Sequence, residues 1–428
     1  MDIWARADAA LNGDGGDQIA RGLTTDLTAH EVAQGVLFCE AFANLAAVET
    51  AAGVLLVDTG TVLTADAAVA AVRGWSAAPV RWIVLTHGHV DHVMGVAAFD
   101  AEAERRGEPR PEVIAHRAVP ERFEIYRRTA GYNGWINHRQ FGIPPYWPAT
   151  YREPDRTYED RLELELGGER FVLRHSRGET DDQTWLWAPE RRLVCCGDLY
   201  IGVAPNAGNP QKRQRFALEW AEALDEIVAL EPEILLPGHG LPLRGEAIPR
   251  VLGEMARWLR HLHDETVRLM NEGLPLDVIV SRVRPPEDLA GRPYLREVYD
   301  EAEFTVRNVW RRYGGWWDGN PARLHPPSDV SLAAEVATLA GGAGALAQRA
   351  LRLLKEGEPR LAAQLAEWAM AADPDSDGVA EAYSAVYSAL AGSARSLMSR
   401  GIYEWASARR DSRRSGTNQI SATAAKSP

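Results

Sequence analysis

The chain has 428 residues, more than one hydrophobic core usually organises, so we expect at least two domains. Its formal net charge of -13 argues against a partner as anionic as nucleic acid or a membrane surface. The sequence has neither an N-terminal secretion signal nor an apolar run of about 18 residues, so we expect no membrane span. With only three cysteines, it fits a cytoplasmic protein, and Cys195 and Cys196 are predicted to be buried free thiols.

The first half of the chain alternates between strand-like and helix-like patterns. Short strands are predicted at 36–38, 44–49, 54–57 and 82–85, with helices at 65–75 and 91–106. A second run of strands follows at 162–166, 171–173, 184–187, 193–196 and 234–236, with a helix at 216–230. This order predicts an α+β protein whose two sheets face each other with helices outside, an αβ/βα sandwich.

The second half carries helical spacing alone, with helices predicted at 251–271, 295–312, 332–339, 343–355, 360–372 and 379–400. We therefore divide the chain into a catalytic domain over residues 1–247 and an all-α domain over residues 248–408. Residues 409–428 are rich in Ser, Thr, Ala and Arg without an apolar period, and this tail is expected to be disordered.

A dense set of metal-binding residue types follows the predicted strand 82–85. The sequence THGHVDH places His87 and His89 on either side of one glycine, and Asp91 and His92 come next. Imidazole and carboxylate groups are the ligands that Zn²⁺ takes at about 2.0–2.2 Å, although they also suit iron. Four donors within six residues after a buried strand predict a metal site.

The HxHxDH pattern at a strand end resembles the metallo-β-lactamase superfamily. Two later positions match further ligands of that superfamily: Asp198 matches the metal-bridging carboxylate and His239 the last histidine. Most members carry a motif like HTPGHT, whose second histidine binds metal, but this chain reads HSRGET. Glu179 therefore stands at the ligand position, and His175 is interpreted as a structural residue at a strand end.

A glutamate at that position resembles the alkylsulfatase branch, the type III sulfatases. In that branch a bridging carboxylate follows about 19 residues later, and here 198 − 179 = 19, although the branch normally has Glu where this chain has Asp198. The helical half supports the same branch, because YGGWWDGNP at 313–321 is similar to a signature of its dimerisation domain. We expect no counterpart of the family's third, sterol-carrier-like domain, which favours a substrate that is shorter than a long-chain detergent or differently shaped.

The resemblance implies two Zn²⁺ ions per subunit and a homodimer formed through the helical domain. One ion takes His87, His89 and Glu179, while the other takes Asp91, His92 and His239. Asp198 and a hydroxide bridge the two ions, and Asp91 and Asp198 are the expected catalytic carboxylates. An anionic small-molecule ester would be held by nearby polar side chains, for which the candidates are Arg215, Lys212, Arg139, Asn133 and Tyr299.

The function expected from this pattern is hydrolysis of sulfate esters by a metal-bridging hydroxide. Another ester (a lactone, thioester or phosphoester) or a β-lactam is the alternative substrate for the same metals. An oxygen-using di-iron protein would use similar ligands. A nuclease fits poorly with the acidic charge, and a non-catalytic binding module fits poorly with seven filled ligand positions.

Overall fold

The structure is a computed structural model that describes residues 2–14 and 24–408. The tail at 409–428, predicted to be disordered, lies outside the described residues. The chain divides into two compact units, whose described residues lie within 2–134 with 146–318, and within 135–145 with 319–408. Compact units and evolutionary domains are separate divisions of a chain, so the boundary expected after residue 247 stays a prediction.

The first sheet has seven strands that neighbour one another in chain order. It is antiparallel across its first four strands and parallel from the fourth to the seventh. The strands are β1 Thr28–Ala33, β2 Val36–Glu40, β3 Leu45–Thr50, β4 Gly53–Val57, β5 Val80–Val84, β6 Glu112–His116 and β7 Arg156–Tyr158.

The second sheet has six strands in the order β13-β12-β11-β10-β9-β8. All its neighbouring pairs are antiparallel except β11 and β12, which run parallel. The strands are β8 Arg161–Leu166, β9 Glu169–His175, β10 Thr184–Ala188, β11 Leu193–Gly197, β12 Ile234–Pro237 and β13 Leu243–Arg244.

Helices occur along both units. Up to residue 314 they are α1 Ile3–Leu11, α2 Ala65–Trp75, α3 Val90–Val93, α4 Val96–Arg106, α5 Ala118–Arg128, α6 Ala130–Phe141, α7 Ala217–Ala229, α8 Ala247–Asn271, α9 Leu276–Arg282 and α10 Ala302–Gly314. The later helices are α11 Asp329–Ala340, α12 Ala343–Lys355, α13 Pro359–Ala372, α14 Asp377–Ser393 and α15 Leu397–Ser407.

The two sheets pack face to face. Successive side chains of a strand point to opposite faces, so one strand can contribute apolar side chains to two cores. In β4, Leu55 and Val57 join Phe171 and Leu186 of the second sheet in the core between the sheets. The other β4 side chains join a second core formed with α2, α4 and α5. A third core packs α7, α8 and α10 onto the second sheet. The predicted αβ/βα sandwich is therefore confirmed.

Three predicted helices differ most from the structure in their bounds. The helix predicted at 91–106 breaks between α3 and α4, because the His92 carbonyl accepts hydrogen bonds from Thr59 rather than from the next helical turn. The helix predicted at 295–312 begins only at Ala302, because the preceding segment bonds to the loop around Gly208 through Asp300. The helix predicted at 379–400 ends at Ser393, and Ser396 caps a new helix.

The described residues agree with two other expectations. Cys195 and Cys196 are buried free thiols, as predicted. No single described helix is long and apolar enough to cross a membrane, while α11 and α12, bent by 83°, meet the length and composition test only as a pair.

Candidate metal centre

Seven histidine and carboxylate side chains converge beyond the ends of strands β5, β9, β11 and β12. They form two groups, and within each group the donor atoms lie within 4.8 Å of one another. The first group is His87, His89, Glu179 and Asp198, and the second is Asp91, His92 and His239. The structure thus brings together all seven side chains that the sequence singled out as ligands.

The ends of two parallel strands hold the later ligands in place. Asp198 directly follows β11 and His239 lies two residues beyond β12, so both leave the same edge of the sheet. The Gly238 N–H donates to the Gly197 carbonyl at 2.8 Å, which joins the two loops. A Cβ atom at Gly238 would lie 2.1 Å from Asp198 Oδ1, so only glycine allows this approach.

Asp198 lies between the two groups. Its Oδ2 atom is 3.6 Å from His87 Nε2 and 3.5 Å from His239 Nε2, and its Oδ1 atom is 3.3 Å from His92 Nε2. One carboxylate therefore faces donors of both groups, which is the geometry that a shared ligand of two cations needs.

The histidines of the second group are oriented by hydrogen bonds on their other ring nitrogen. His92 Nδ1 donates to Asp58 Oδ2 at 2.8 Å, and His239 Nδ1 donates to the Phe42 carbonyl at 2.5 Å. Each bond leaves the Nε2 atom facing inward, where Asp91 Oδ2 lies 3.8 Å from His92 Nε2 and 3.5 Å from His239 Nε2. Fixing one nitrogen in this way sets the tautomer that a metal ligand requires.

His87 depends on the same carboxylate through a neighbour. The Thr86 hydroxyl donates to Asp58 Oδ2 at 2.7 Å and lies 3.0 Å from His87 Nδ1. Because the hydroxyl hydrogen is engaged by Asp58, the oxygen accepts the Nδ1 proton of His87. His87 Nε2 then faces His89 Nδ1 at 2.8 Å, within reach of one cation.

Glu179 is held by two buried polar side chains. Asn206 Nδ2 donates to Glu179 Oε1 at 2.5 Å, and Arg215 Nη2 lies 3.1 Å from the same oxygen. Arg215 also donates to the Glu179 backbone carbonyl. These contacts point the carboxylate towards His89, whose Nδ1 lies 3.9 Å from Oε1.

The electrostatics of the cluster put several donors in the state that binds metal. Burial and then the neighbouring His92 lower the pKa of His87 to about 4. Burial also lowers the pKa of His89, together with His87. Burial alone would raise the pKa of Asp91, but the neighbouring His92 and His239 lower it to about 2. Neutral imidazoles and an ionised carboxylate are what metal ligation requires.

Other donors hold protons that a cation would displace. Burial lowers the pKa of His239, yet the facing Asp198 and Asp91 raise it to about 10. Burial raises the pKa of Glu179 to about 8, although Arg215 opposes that shift. Binding of a cation at these groups would therefore release protons and become tighter as pH rises.

Two buried polar atoms of the cluster show whether the donor set fits cations. Within the described part of the chain, His92 Nε2 and Asp198 Oδ1 are buried and have no hydrogen-bond partner. Leaving such atoms unsatisfied is costly, and most buried polar atoms in proteins are paired. A divalent cation between them would satisfy both, so the donor set fits the metal ions that the sequence predicted.

The candidate substrate contacts Arg215 and Lys212 lie near the metal-binding groups. Arg215 is buried and engaged by Glu179, which favours a role in orienting that carboxylate. Lys212 stacks over Trp147 at 5.4 Å and, among the described residues, forms no ion pair with a carboxylate. Burial and then Arg215 lower the Lys212 pKa to about 8, while Asp91 and Glu179 act in the opposite direction.

The other candidate contacts have different surroundings. Asn133 Nδ2 donates to the carbonyl and the hydroxyl of Thr129, the residue just before its own helix, at 3.1 Å and 2.8 Å. Arg139 belongs to the second compact unit, where its guanidinium lies over Trp405. Tyr299 packs against a small apolar cluster made by Ile201 and Val203, shortly after Asp198. A substrate role for these residues stays a prediction.

Sequence reasoning missed Asp58 and Asn206, which hold the ligands from behind. Asp58 ends strand β4 in an Asp-Thr-Gly turn with a positive φ of 61°, a conformation that is uncommon for residues other than glycine. That turn was the one available signal. Asn206 gave none, because its contact with Glu179 spans 27 residues.

The loop that carries Asn206 and Arg215 is fixed by the region around α10. Asp300 accepts the Gly208 N–H at 2.6 Å, and Asn308 donates to the carbonyls of Ala207 and Arg215 at 3.0 Å and 2.9 Å. His175, interpreted from the sequence as structural, ends β9, bonds the Gln183 carbonyl at 3.0 Å and is in neither donor group.

Comparison with known proteins matches two family models to this chain. Residues 41–239 match the metallo-beta-lactamase superfamily, and residues 276–412 match the alkyl sulfatase dimerisation family. The first match includes every donor of both groups, and the second includes Asp300 and Asn308.

Curated relatives carry the names of alkylsulfatases. A linear primary-alkylsulfatase from Pseudomonas sp. (strain ATCC 19151) is 30% identical over 350 residues, which are 77% of this chain and 66% of that protein. The alkyl/aryl-sulfatase BDS1 of Saccharomyces cerevisiae is 27% identical over 69% of this chain and 50% of its own. The chain thus spans about half to two thirds of the length of these relatives.

A solved structure supports the fold. The stereoselective inverting sec-alkylsulfatase Pisa1 from Pseudomonas sp. matches with a TM-score of 0.78 at 22% identity, over 88% of this chain and 64% of that one. The two family matches, the relatives and this shared fold agree with the arrangement of helices and sheets described above. The chain therefore joins a domain of the metallo-β-lactamase superfamily to an alkyl sulfatase dimerisation domain.

Proposed function

We propose that the chain is a hydrolase that cleaves sulfate esters at a centre of two divalent cations, most simply two Zn²⁺ ions. The observation that carries the proposal is the division of seven donors into two groups with Asp198 between them. Binuclear sites of this kind serve hydrolysis, whereas a structural zinc site closes with four ligands around one ion.

The proposed assignment follows the geometry of the two groups. His87, His89 and Glu179 would hold one ion, while Asp91, His92 and His239 would hold the other. Asp198 would contact both, and Asp91 and Asp198 are the proposed catalytic carboxylates. When bound, such ions supply Lewis acidity and lower the pKa of a shared water from its bulk value towards about 7.

The protein's own charges support an anionic substrate. Three carboxylates among the donors offset much of the charge of two divalent ions, so an anion would gain little from the metals alone. Lys212 adds a positive charge that is felt at Asp91 and Glu179 and is not neutralised by an ion pair among the described residues. We therefore propose Lys212 as the side chain that holds the anionic group of the ester.

The names of the relatives support sulfate as that anionic group. The Pseudomonas and yeast proteins are named as alkylsulfatases. The first donor group of this chain contains Glu179, at the position where the sequence resemblance leads us to expect a glutamate ligand. The match to a dimerisation family supports a homodimer formed through the helical region, and we propose residues 248–408 as that domain.

The test is a comparison of esters with the purified full chain. The zinc-loaded protein and the same protein after treatment with a chelator would be assayed against short primary and secondary alkyl sulfates. Matched phosphate esters, thioesters, lactones and a β-lactam would form the other arms. Dimerisation would be measured by sedimentation on the same samples.

Sulfate release that depends on zinc, and that exceeds turnover of every other ester, is the expected result. Faster turnover of a phosphate ester or a lactone would move the chain to another substrate class while keeping the metal centre. Turnover of alkyl sulfates that survives complete removal of metal would overturn the proposal.

A further inference from the structure

A buried ion pair lies behind the turn that carries His87 and His89. Asp182 is fully buried and Arg122 is 4% exposed. Arg122 Nε donates to Asp182 Oδ2 at 2.8 Å, and its Nη2 contacts the neighbouring Asp181. Neither Arg122 nor Asp182 belongs to either donor group, so metal binding as proposed above leaves the pair unused.

The pair also makes a direct contact with the ligand-bearing turn. Asp182 Oδ2 accepts the backbone N–H of Gly88 at 3.0 Å, and Gly88 is the residue between His87 and His89. A Cβ atom at Gly88 would lie 2.9 Å from Arg122 Cδ and 3.1 Å from Asp182 Oδ2. The turn therefore packs so closely on the ion pair that a side chain at Gly88 would displace Arg122 or Asp182.

The position of Asp182 in the chain links this turn to a second loop. Asp182 comes three residues after Glu179, in the loop between β9 and β10. At the end of that loop, the Thr184 N–H donates to the Thr86 carbonyl at 2.6 Å. Asp182 thus joins the loop of Glu179 to the turn of His87 and His89, and these three side chains belong to one donor group.

The second donor group is supported by other residues. His92 is oriented by Asp58, and His239 is oriented by the Phe42 carbonyl. No hydrogen bond of Asp182 or Arg122 to Asp91, His92 or His239 occurs within residues 24–408 of the structure. A defect at Asp182 should therefore affect the two groups unequally.

We propose that Asp182, held by Arg122, is a positioning residue that sets the first cation site, formed by His87, His89 and Glu179. The inference rests on the proposed two-cation centre and adds a residue on which only one of its sites depends. Outer contacts that orient metal ligands typically change metal affinity by about 10–100-fold when removed.

A purely structural role for the ion pair makes a different prediction. Removing one member of a buried pair leaves an uncompensated charge, whereas replacing both members by apolar residues is often tolerated. If the pair served stability alone, Asp182→Leu would be rescued by adding Arg122→Met. The double variant still lacks the acceptor for the Gly88 N–H, so a positioning role predicts no rescue of the first site.

The experiment measures zinc rather than turnover. Zinc content would be determined by mass spectrometry, and affinity by competition with a chromophoric chelator, for wild type, Asp182→Leu and Arg122→Met/Asp182→Leu. Asp182→Asn, which keeps an oxygen for Gly88, provides a variant of nearly unchanged shape in case the leucine variant does not fold. Arg73→Met/Glu102→Leu removes a buried ion pair of the same unit, with a 2.9 Å contact, as the matched control.

We expect two zinc ions per chain in wild type and in the control. The double variant should bind one ion as wild type does and the other at least about tenfold more weakly, with Asp182→Asn in between. Two ions bound with wild-type affinity by a folded double variant would overturn the inference. Failure of the wild type to bind two ions would instead count against the proposed function, so the two failures are distinguishable.

Discussion

Asp58 Oδ2 accepts a hydrogen bond from His92 Nδ1 at 2.8 Å and another from the Thr86 hydroxyl at 2.7 Å. One carboxylate oxygen therefore orients a donor of the second group directly and, through Thr86, His87 of the first group. The Asp58 Oδ1 atom accepts the Thr86 N–H at 2.8 Å, which leaves the carboxylate fully engaged. Asp58 thus orients ligands of both donor groups.

Replacing Asp58 by Asn should weaken binding of both zinc ions. The amide cannot accept from His92 and the Thr86 hydroxyl with the same charged oxygen, so both imidazoles lose part of their orientation. We expect an affinity loss of about 10–100-fold at each site, measured by chelator competition. Asp66→Asn, an exposed carboxylate in α2, controls for the lost charge. Unchanged affinity in Asp58→Asn would contradict the role given to Asp58.

Arg215→Lys tests whether Arg215 orients Glu179 or grips substrate. A lysine keeps the charge but cannot contact the carboxylate and the backbone carbonyl of Glu179 together, as the planar guanidinium does. We expect the affinity for zinc to fall by about tenfold or more. In protein that is fully loaded with zinc, the KM should stay unchanged. Arg213→Lys, in the same loop, serves as the control. A raised KM in fully zinc-loaded Arg215→Lys would instead assign Arg215 to the substrate.

Lys212→Met should weaken binding of the anionic group while leaving the metals in place. A charge-assisted hydrogen bond contributes about 1.5–3 kcal/mol, so we expect KM for an alkyl sulfate to rise by about 10–100-fold. Inhibition by inorganic sulfate should weaken by the same factor at unchanged zinc content. Arg213→Met removes an equal charge that pairs with Asp181 at 3.5 Å, and it should change KM little. Equal effects of the two substitutions would refute a specific contact.

Asp300→Asn should alter how stability depends on pH. Burial raises the Asp300 pKa from 3.8 to about 7, despite hydrogen bonds from backbone N–H groups such as that of Gly208. The folded state therefore holds a proton that the unfolded state has lost, and stability falls as pH rises from about 4 to 7. At about 1.4 kcal/mol per pKa unit the loss is on the order of 4 kcal/mol.

The check on Asp300 is chemical denaturation of both proteins at pH 5 and pH 8. Asparagine keeps an oxygen acceptor for the Gly208 N–H and does not titrate. The free energy of unfolding of Asp300→Asn minus that of wild type should therefore be larger at pH 8 than at pH 5. A difference that is independent of pH would show that Asp300 ionises with an ordinary pKa.

The sequence predicted the parts of the centre that lie within a few residues of a strand end. His87, His89, Asp91 and His92 are adjacent, and Asp198 and His239 each follow a recognisable apolar strand. Strands such as β4 and β11 were likewise recognisable as continuous apolar runs, because their side chains are buried on both faces. Local sequence patterns are enough to predict ligands that lie within a few residues of a strand end.

The supports of the centre could not be predicted, because they join distant segments. Asp58 meets His92 across 34 residues, and Asp182 meets Gly88 across 94. The Asp-Thr-Gly turn at Asp58 marks a strand end, but nothing in it distinguishes a support of the centre from a solvated residue. The same reason explains the broken helix after His92, whose carbonyl is taken by Thr59.

The most direct test of the central claim is a measurement of the zinc content of wild type and Glu179→Ala. Glu190→Ala is the control, because Glu190 is exposed in the turn between β10 and β11. If Glu179 is the distinguishing ligand of the first group, wild type and the control should bind two ions per chain. Glu179→Ala should then bind one ion tightly and release sulfate at least about a hundredfold more slowly. Two tightly bound zinc ions and unchanged turnover in Glu179→Ala would contradict the account.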